Sequence, residues 1–306
     1  MIGKRHTFIA LMLGLLASGI QADPAPAPSP PLQVAVPADV YHDYQCWLRH
    51  RQVLRITDYR GDCSRRDVIE VALLQQALAL GRGAVGGTAG QRGEVRGNSH
   101  ELEWVIVNSY ERTLTEMDQG RLDLAATSLW REDIALRDNL WASTALLGPG
   151  SNLAQLYGRA ETAKNTTLTE TGQLADFRLV SSRQWRADWQ LLTNLPHGEL
   201  LDAPRWMTMV RWVESGRADL LLAPPLTAGT PVLRVKGSTL HPVPGGILCL
   251  PGSRHFAVSR QHPEADAIQQ ALNKGINTLR QQGRLRRAYE QVGALQAPTH
   301  TLNHCQ

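Results

Sequence analysis

The stretch QGRLDLAATSLW, residues 119–130, decides the fold. Gly120 can end a helix, Asp123 opens an apolar run typical of a buried strand, and polar residues with Trp130 follow that run. Residues 214–225, ESGRADLLLAPP, repeat the order of acidic residue, glycine, arginine, aspartate and apolar run. The repetition indicates two similar units in one chain.

The sequence around each copy predicts alternating strands and helices. Before the first copy, LEWVIV (102–107) predicts a fully buried strand, and SYERTLTEMDQG predicts a helix that ends at Gly120. Residues 177–223 predict the strand FRLVSS, a helix over WRADWQLL, the strand GELLD, the helix WMTMVRWVES and the strand ADLLLA. Because strand–helix–strand units favour parallel sheets, we expect an α/β fold.

Polar residues at the ends of these strands predict a ligand site, because the carboxyl ends of parallel strands line a crevice. Their hydroxyl and guanidinium groups can hold a polar or anionic solute, with indole rings closing over it. The predicted ligand contacts are Tyr59, Thr127, Ser128, Trp130, Arg131, Ser181, Ser182, Arg183 and Trp185.

Some residues near these positions also have a structural interpretation. Asp123 and Asp219 follow a Gly-Arg turn at strand starts, where aspartate is more typical of a cap or an ion pair than of a ligand contact. Trp130 and Trp185 are as typical of a core as of a ligand site.

Length and composition limit the classes of protein. A chain of 306 residues exceeds what one core usually supports, so two packed units are expected. Its 42% hydrophobic and 20% charged residues are typical of a globular protein. Basic residues are scattered and not interleaved with aromatic ones, so nucleic acid is not an expected partner. The common catalytic, metal and nucleotide motifs are absent, so we predict no catalytic residues, no metal and no cofactor.

Residues 1–22 predict a signal peptide and therefore a periplasmic protein. MIGKRH is basic, TFIALMLGLLASGI has the length of an apolar signal core and is too short for a membrane span, and small residues precede a cleavage point after Ala22. Removal leaves 30 basic against 28 acidic residues, a formal net charge of +2.

The next segments predict a linker and the start of the folded part. Residues 23–40 are rich in proline and predict an extended linker. The folded part then begins near Tyr41, with VLRIT (53–57) as the first strand and a helix over RRDVIEVALLQQALAL.

Residues 81–100, GRGAVGGTAGQRGEVRGNSH, contain a G-x-G-x-x-G pattern. A dinucleotide-binding fingerprint follows a strand and opens a helix, whereas this pattern follows a helix and opens no regular element. The segment therefore predicts a flexible surface insertion.

The order of segments resembles that of the periplasmic type II solute-binding proteins of the amino-acid-binding kind, family 3, over nearly the whole mature chain. VLRITDY resembles the opening strand of the family, DVIEVALLQQAL its first helix, and SYERTLTEMDQGRLDLAATSLWRED its ligand loop. VRWVESGRADLLLAPP is similar to the second-lobe counterpart of that loop. The most specific stretch is FAVSRQHPEADAIQQALNKGINTLRQQGRLRRAYEQVG, which resembles the C-terminal helices.

The resemblance implies two lobes, each a mainly parallel sheet flanked by helices, joined by crossover strands around a hinged cleft. Lobe 1 is expected to comprise residues 41–146 and 257–306, and lobe 2 residues 147–256. The implied function is capture of a small molecule by a monomer, for ABC-type uptake with an ABC permease. A signalling protein that works with a membrane sensor is an alternative.

The ligand positions depart from the family pattern. Where the family reads Thr-Pro-Glu-Arg, with the arginine holding the α-carboxylate, this chain reads Trp130-Arg131-Glu132-Asp133. Pro224 stands near the position of the aspartate that holds the α-ammonium, and Ser181-Ser182-Arg183 replaces a Gly-Thr-Thr turn. The resemblance therefore does not imply a standard α-amino acid ligand. A further alternative is a cyclohexadienyl-dehydratase-like enzyme that uses Glu132 or Asp133.

Four cysteines, an even number in an exported chain, favour disulfides. Three pairings are possible. Cys46 and Cys63 lie close together in sequence. Cys305 lies on the C-terminal tail, and its best partner is Cys249. We therefore predict the bridges Cys46–Cys63 and Cys249–Cys305. The alternative is a buried thiol at Cys249 and an exposed one at Cys305.

Overall fold

The structure, a computed structural model, describes residues 30–83, 101–225, 232–235, 237–295 and 301–305. The predicted signal peptide and most of the glycine-rich segment lie outside these ranges. Within them, no helix combines the length and the apolar character needed to cross a membrane.

The first lobe carries the N-terminal third of the described chain and its last two helices. Its elements are β1 (Leu32–Val36), α1 (Ala38–Leu48), α2 (Arg66–Gly81), β2 (Leu102–Ile106), α3 (Tyr110–Asp118), β3 (Leu124–Ala125), β4 (Leu129–Trp130), α4 (Arg131–Ala135), β5 (Leu140–Ala142), β12 (Arg254–His255), β13 (Ala257–Ser259), α8 (Ala265–Gln281) and α9 (Arg284–Gln291). The sheet has the order β2-β1-β3-β13-β5, with β1 parallel to β2 and β3 and with β13 antiparallel to β3 and β5.

The second lobe lies between β5 and β12 in sequence. Its elements are β6 (Asn152–Gly158), α5 (Ala160–Asn165), β7 (Arg178–Ser181), α6 (Arg186–Thr193), β8 (Glu199–Asp202), α7 (Trp206–Glu214), β9 (Leu220–Ala223), β10 (Leu233–Val235) and β11 (Ser238–Leu250). The sheet has the order β10-β11-β6-β9-β7-β8, in which β7 is parallel to β8 and β9 and the other pairs are antiparallel. Each lobe therefore has a parallel three-strand part, and the strands near the lobe crossings run antiparallel to it.

The first strand differs from the prediction. β1 lies inside the predicted linker 23–40, whereas Val53–Arg55 forms a short 3-10 helix. Pro31 and Pro37 flank β1 without interrupting it, so all five of its residues keep their backbone donors. Leu32, Val34 and Val36 of this strand are fully buried in the first lobe.

Most other elements agree with the sequence. The helices and strands predicted around both repeats form where expected. β2, which was predicted to be fully buried, is an edge strand, and Ile106 in it is 48% exposed. An apolar run predicts a strand, but it does not predict whether that strand lies at the centre or at the edge of its sheet.

The repeated aspartates have the same structural role in both lobes. The Asp123 backbone N–H donates to the Gln33 carbonyl, and Asp123 Oδ2 accepts from the Gln33 N–H, both at 2.8 Å. In the second lobe, the Asp219 N–H donates to the Arg178 carbonyl at 2.8 Å, and Asp219 Oδ2 accepts from the Arg178 N–H at 2.9 Å. Each aspartate thus fixes the neighbouring strand, as the capping interpretation predicts.

Two segments between the sheets connect the lobes. Residues 143–151 lead from β5 to β6, and residues 251–256 lead from β11 back to β13. They meet where the Arg254 N–H donates to the Leu147 carbonyl at 2.9 Å. This pairing joins the two crossings into one hinge.

The C-terminal tail forms a third connection. Leu302 donates its N–H to the Ile247 carbonyl at 2.7 Å and packs in the apolar cluster of the second lobe. The prediction placed residues 257–306 in the first lobe, and for 301–305 it is wrong, because the tail continues past α9 onto β11. Both predicted disulfides are confirmed, with Cα atoms 6.1 Å apart for Cys46–Cys63 and 5.3 Å apart for Cys249–Cys305.

Candidate functional site

Trp130, at the end of β4, lies where the two lobes meet. Its side chain belongs to the first lobe by sequence but packs in a cluster formed mainly by second-lobe residues such as Leu156 and Leu192. The residue is 8% exposed, and the Arg254 guanidinium lies 4.7 Å from the centre of its ring. The lobes are therefore closed on each other around this indole.

A buried charged network supports the first-lobe side of the cleft. Glu70 of α2, fully buried, accepts hydrogen bonds from the Ser128 N–H and hydroxyl, both at 2.7 Å, and from the Tyr289 hydroxyl at 3.0 Å. Arg254 donates to the Ser128 hydroxyl at 2.8 Å and to its carbonyl at 2.6 Å. Ser128 is thus held by α2 and by the return crossing, with Tyr289 of α9 bound to the same carboxylate.

A second group of charged residues lies at the start of α2, within electrostatic range of the start of α6. Arg66 donates to Asp67 Oδ1 at 2.8 and 3.0 Å. Although burial opposes it, the guanidinium groups of Arg66 and Arg65 lower the pKa of Asp67. Across the cleft, burial raises the pKa of Asp188 to about 6, although the positive charges of Arg254 and Arg66 act to lower it. A second-lobe carboxyl therefore lies within electrostatic range of two first-lobe arginines.

Asp133 of α4 forms the other charged contact between the lobes. Its Oδ2 accepts from the Tyr110 hydroxyl at 2.8 Å, and its Oδ1 lies 3.7 Å from Nε of Arg186 on α6. The Tyr110 hydroxyl also accepts from the Trp130 N–H at 3.1 Å. Burial raises the pKa of Asp133, while the hydrogen bond from Tyr110 acts to lower it.

A cavity of about 20 Å³ lies between the lobes on the hinge side. This volume suits one water molecule. Its lining includes residues of both lobes, among them Arg66, Trp130, Asn152, Pro224, Pro225 and Leu250.

The structure brings part of the predicted site together. Ser128 and Trp130 lie at the lobe interface, and Thr127 is half-buried beside them. Ser181 and Ser182 are buried at the end of β7, and within the described chain the Ser181 hydroxyl has no hydrogen-bond partner.

Tyr59 is a correction. It is fully buried, its hydroxyl donates to Gln76 at 2.7 Å, and its ring stacks on Trp47 with centroids 6.4 Å apart. The strand that was predicted to place Tyr59 at the cleft does not form, because β1 takes its place in the sheet. Tyr59 therefore belongs to the core of the first lobe.

The remaining predicted contacts lie nearer the surface. Arg131 is exposed, and exposed Arg183 lies 3.5 Å from Asp202, its neighbour on β8. Trp185 is half-buried against Trp206, with ring centroids 6.2 Å apart. Trp185 thus packs against the edge of a second-lobe apolar cluster.

Sequence reasoning did not select the charged and hydrogen-bonding residues near the lobe interface, which are Arg66, Tyr110, Arg186, Asp188 and Arg254. Arg66, Tyr110 and Arg186 are the first residues of α2, α3 and α6, Asp188 lies in the first turn of α6, and Arg254 lies on the return crossing. For α3 and α6, the signal in the sequence is a polar residue in the first turn of a helix that follows a parallel strand, because such turns face the same crevice as the strand ends. For Asp133, the sequence offers a departure from the family pattern and, with Glu132, a carboxylate for the dehydratase alternative.

Comparisons with known proteins agree on the fold. No protein-family model matches the sequence, and no curated protein matches it significantly. The periplasmic VFT2 domain of BvgS from Bordetella pertussis is 17% identical, with a TM-score of 0.51 over 87% of this chain and 93% of that chain. An amino acid ABC transporter substrate-binding protein from Streptococcus pneumoniae, bound to L-arginine, is 15% identical, with a TM-score of 0.52 over 87% of this chain and 95% of that chain. At these identities the likeness confirms the predicted fold, the two-lobed type II binding-protein fold.

Proposed function

We propose that this chain, which has the fold of type II periplasmic solute-binding proteins, is an exported monomer that captures a small polar solute between its lobes. The observation that supports this most directly is the facing pair of Asp133 from the first lobe and Arg186 from the second, 3.7 Å apart beside the buried Trp130. Charged and aromatic groups from both lobes converge there, and hinge closure can surround a ligand. The two disulfides fit a periplasmic location.

The test of binding is a thermal-shift screen of residues 23–306 against metabolites. A ligand that binds only the folded state stabilises it by about 2.7 kcal/mol at a hundred times its Kd, so its melting temperature rises. We expect such a ligand to be recovered chemically unchanged. If no metabolite raises the melting temperature, the proposed function is wrong.

The proposed role of binding is ABC-type uptake, with an ABC permease as the partner. Support comes from the likeness in fold to an amino acid ABC transporter substrate-binding protein. Deletion of the gene is expected to abolish uptake of the ligand found in the screen. Unchanged uptake together with an altered cellular response to the ligand favours the alternative, a signalling protein that works with a membrane sensor.

One observation favours an enzyme as a second candidate. A dehydratase of this fold needs a carboxyl group in the cleft with a perturbed pKa, and Asp133 is buried there with a raised pKa. Steady product formation from a prephenate-like acid, lost in Asp133→Asn, supports this candidate. Binding without turnover excludes it for that substrate.

A further inference from the structure

We propose that Asp133 is the subsite for a cationic group of the ligand, an ammonium or a guanidinium. Arg186 occupies this subsite when the lobes close without a ligand. The inference rests on the proposed function and names the chemical class of its ligand. It replaces the polar or anionic solute predicted from the sequence.

The carboxylate of Asp133 is fixed before any ligand arrives. The residue is 4% exposed, and Oδ2 accepts from the Tyr110 hydroxyl at 2.8 Å. Tyr110 is held in turn by the Trp130 N–H at 3.1 Å. A buried carboxylate needs compensation for its lost hydration, and one neutral hydroxyl supplies only part of it.

Arg186 supplies the remaining compensation weakly. Its Nε lies 3.7 Å from Oδ1 of Asp133, which exceeds hydrogen-bond distance, and its side chain is 52% exposed. An ion pair at this distance with a half-exposed partner contributes little to the stability of the buried carboxylate. A ligand cation that donates to Oδ1 at about 2.8 Å forms a charge-assisted bond and is therefore the better partner.

The charges around Asp133 also select against an anion. Burial raises the pKa of Asp133 most, and the Tyr110 hydroxyl and Arg186 act to lower it. Glu111 and Glu132, also within electrostatic range, act to raise it, so the charges that remain once a ligand displaces Arg186 are negative. Glu111 pairs with Arg137, and exposed Glu132 follows Arg131 at the start of α4. A carboxylate from the ligand would add another negative charge here, whereas a cation reduces the repulsion.

Ligand entry and loss of the Arg186 contact are coupled. Asp133 and Arg186 face each other across the lobe interface, so a ligand cation that takes the place of Arg186 enters as the lobes separate. Because Arg186 is on α6 of the second lobe and Asp133 on α4 of the first, separation breaks their contact. The ligand cation then competes with Arg186 for the carboxylate on reclosure.

The test is calorimetric titration of residues 23–306 with agmatine, putrescine, L-arginine and any cation found in the thermal-shift screen. 1,4-Butanediol and adipate, which replace the two ammonium groups of putrescine by hydroxyls and by carboxylates, are the matched solutes without a cationic group. We expect a cation to bind, Asp133→Asn to weaken it at least about 10-fold, and Arg186→Ala to tighten it by removing the internal competitor. Tyr110→Phe keeps the charge and loses only the orienting bond, so it tests the subsite if Asp133→Asn fails to fold.

Two exposed residues give matched controls. Asp138→Asn removes the same charge just beyond α4, and Arg211→Ala removes an exposed arginine of α7. Both are expected to leave cation affinity unchanged.

Two results overturn the proposal while the proposed function stands. One is a cation affinity that changes by less than about 2-fold in both Asp133→Asn and Tyr110→Phe, well below the factor that loss of a charge-assisted bond gives. The other is a ligand without a cationic group as the only solute bound. If no solute of any charge binds, the proposed function fails and the subsite fails with it.

Discussion

Among single residues, Asp188 is a second-lobe carboxyl group whose pKa responds to first-lobe charges. Burial between the lobes raises its pKa to about 6. The groups within electrostatic range of it are Arg66 and Arg254 of the first lobe. When the lobes open, the carboxyl is hydrated and its pKa falls towards the ordinary value of about 4. The proton is therefore bound more tightly in the closed form.

We predict that closure becomes more favourable as the pH falls from about 6 to about 4. A carboxyl with a raised pKa in the closed form stabilises that form when protonated, and this stabilisation is lost as the pH rises through about 6. One proton changes the closed-to-open ratio by up to about tenfold per pH unit. The radius of gyration from small-angle X-ray scattering, measured from pH 7.5 to 4.5, follows the closed fraction.

Asp188→Asn isolates this effect. The amide does not titrate, so the variant is expected to lose the pH dependence and to be more closed than the parent at pH 7. Asp138→Asn, at an exposed position, is the control and is expected to retain the parental profile. A parental pH profile in Asp188→Asn would show that another group governs closure.

At the scale of elements, the Gly-Arg repeat explains why two copies of one short motif build two similar lobes. Gly120 and Gly216 both adopt left-handed backbone, with φ of 70° and 76°, and end α3 and α7. The aspartate three residues further on then binds both backbone groups of a residue in the neighbouring strand. Each copy thus ends a helix, leads the chain into the next strand and sets the register of that strand.

We predict that Asp123→Ala and Asp219→Ala each destabilise the fold. Each leaves a backbone N–H without its acceptor, a loss of about 1–3 kcal/mol when the group is buried. Asp123 is 8% exposed, so we expect its loss to have the larger effect. Thermal unfolding gives the comparison, with Asp138→Ala expected to stay within about 0.5 kcal/mol of the parent. Parental stability in both variants would contradict the capping role.

The sequence predicts elements better than the site for a physical reason. Hydrophobic periodicity and helix-ending glycines act locally, so α3, β3 and the elements from β7 to β9 are predictable. β1 is not predictable in this way, because the prolines around it favour an extended linker, although proline disrupts a strand only from within. Asp133 and Arg186 lie in different lobes, so their contact depends on hinge closure, which no local pattern encodes.

At the scale of the whole molecule, the C-terminal tail adds a third connection to a two-strand hinge. Val292, Ala294 and Leu295 still pack against the first-lobe core, whereas Leu302 packs in the second lobe. The Cys249–Cys305 bridge holds the tail to β11. Opening the lobes must therefore move three chain segments together.

We predict that Cys249→Ser with Cys305→Ser widens lobe opening, whereas Cys46→Ser with Cys63→Ser does not. The Cys249–Cys305 bridge joins cysteines 56 residues apart in sequence, and the Cys46–Cys63 bridge joins cysteines 17 residues apart. Chain entropy therefore gives the two bridges similar stabilisation of the fold, about 4 and about 3 kcal/mol. Melting temperature therefore falls in both pairs and does not separate them. Lobe opening separates the two pairs of variants. Cys46 and Cys63 both belong to the first lobe, whereas the Cys249–Cys305 bridge fixes a segment that spans both lobes. Small-angle scattering of the ligand-free proteins at pH 7 is expected to give a larger radius of gyration only for the Cys249/Cys305 pair. An equal radius in both pairs would mean that the tail does not restrain the hinge.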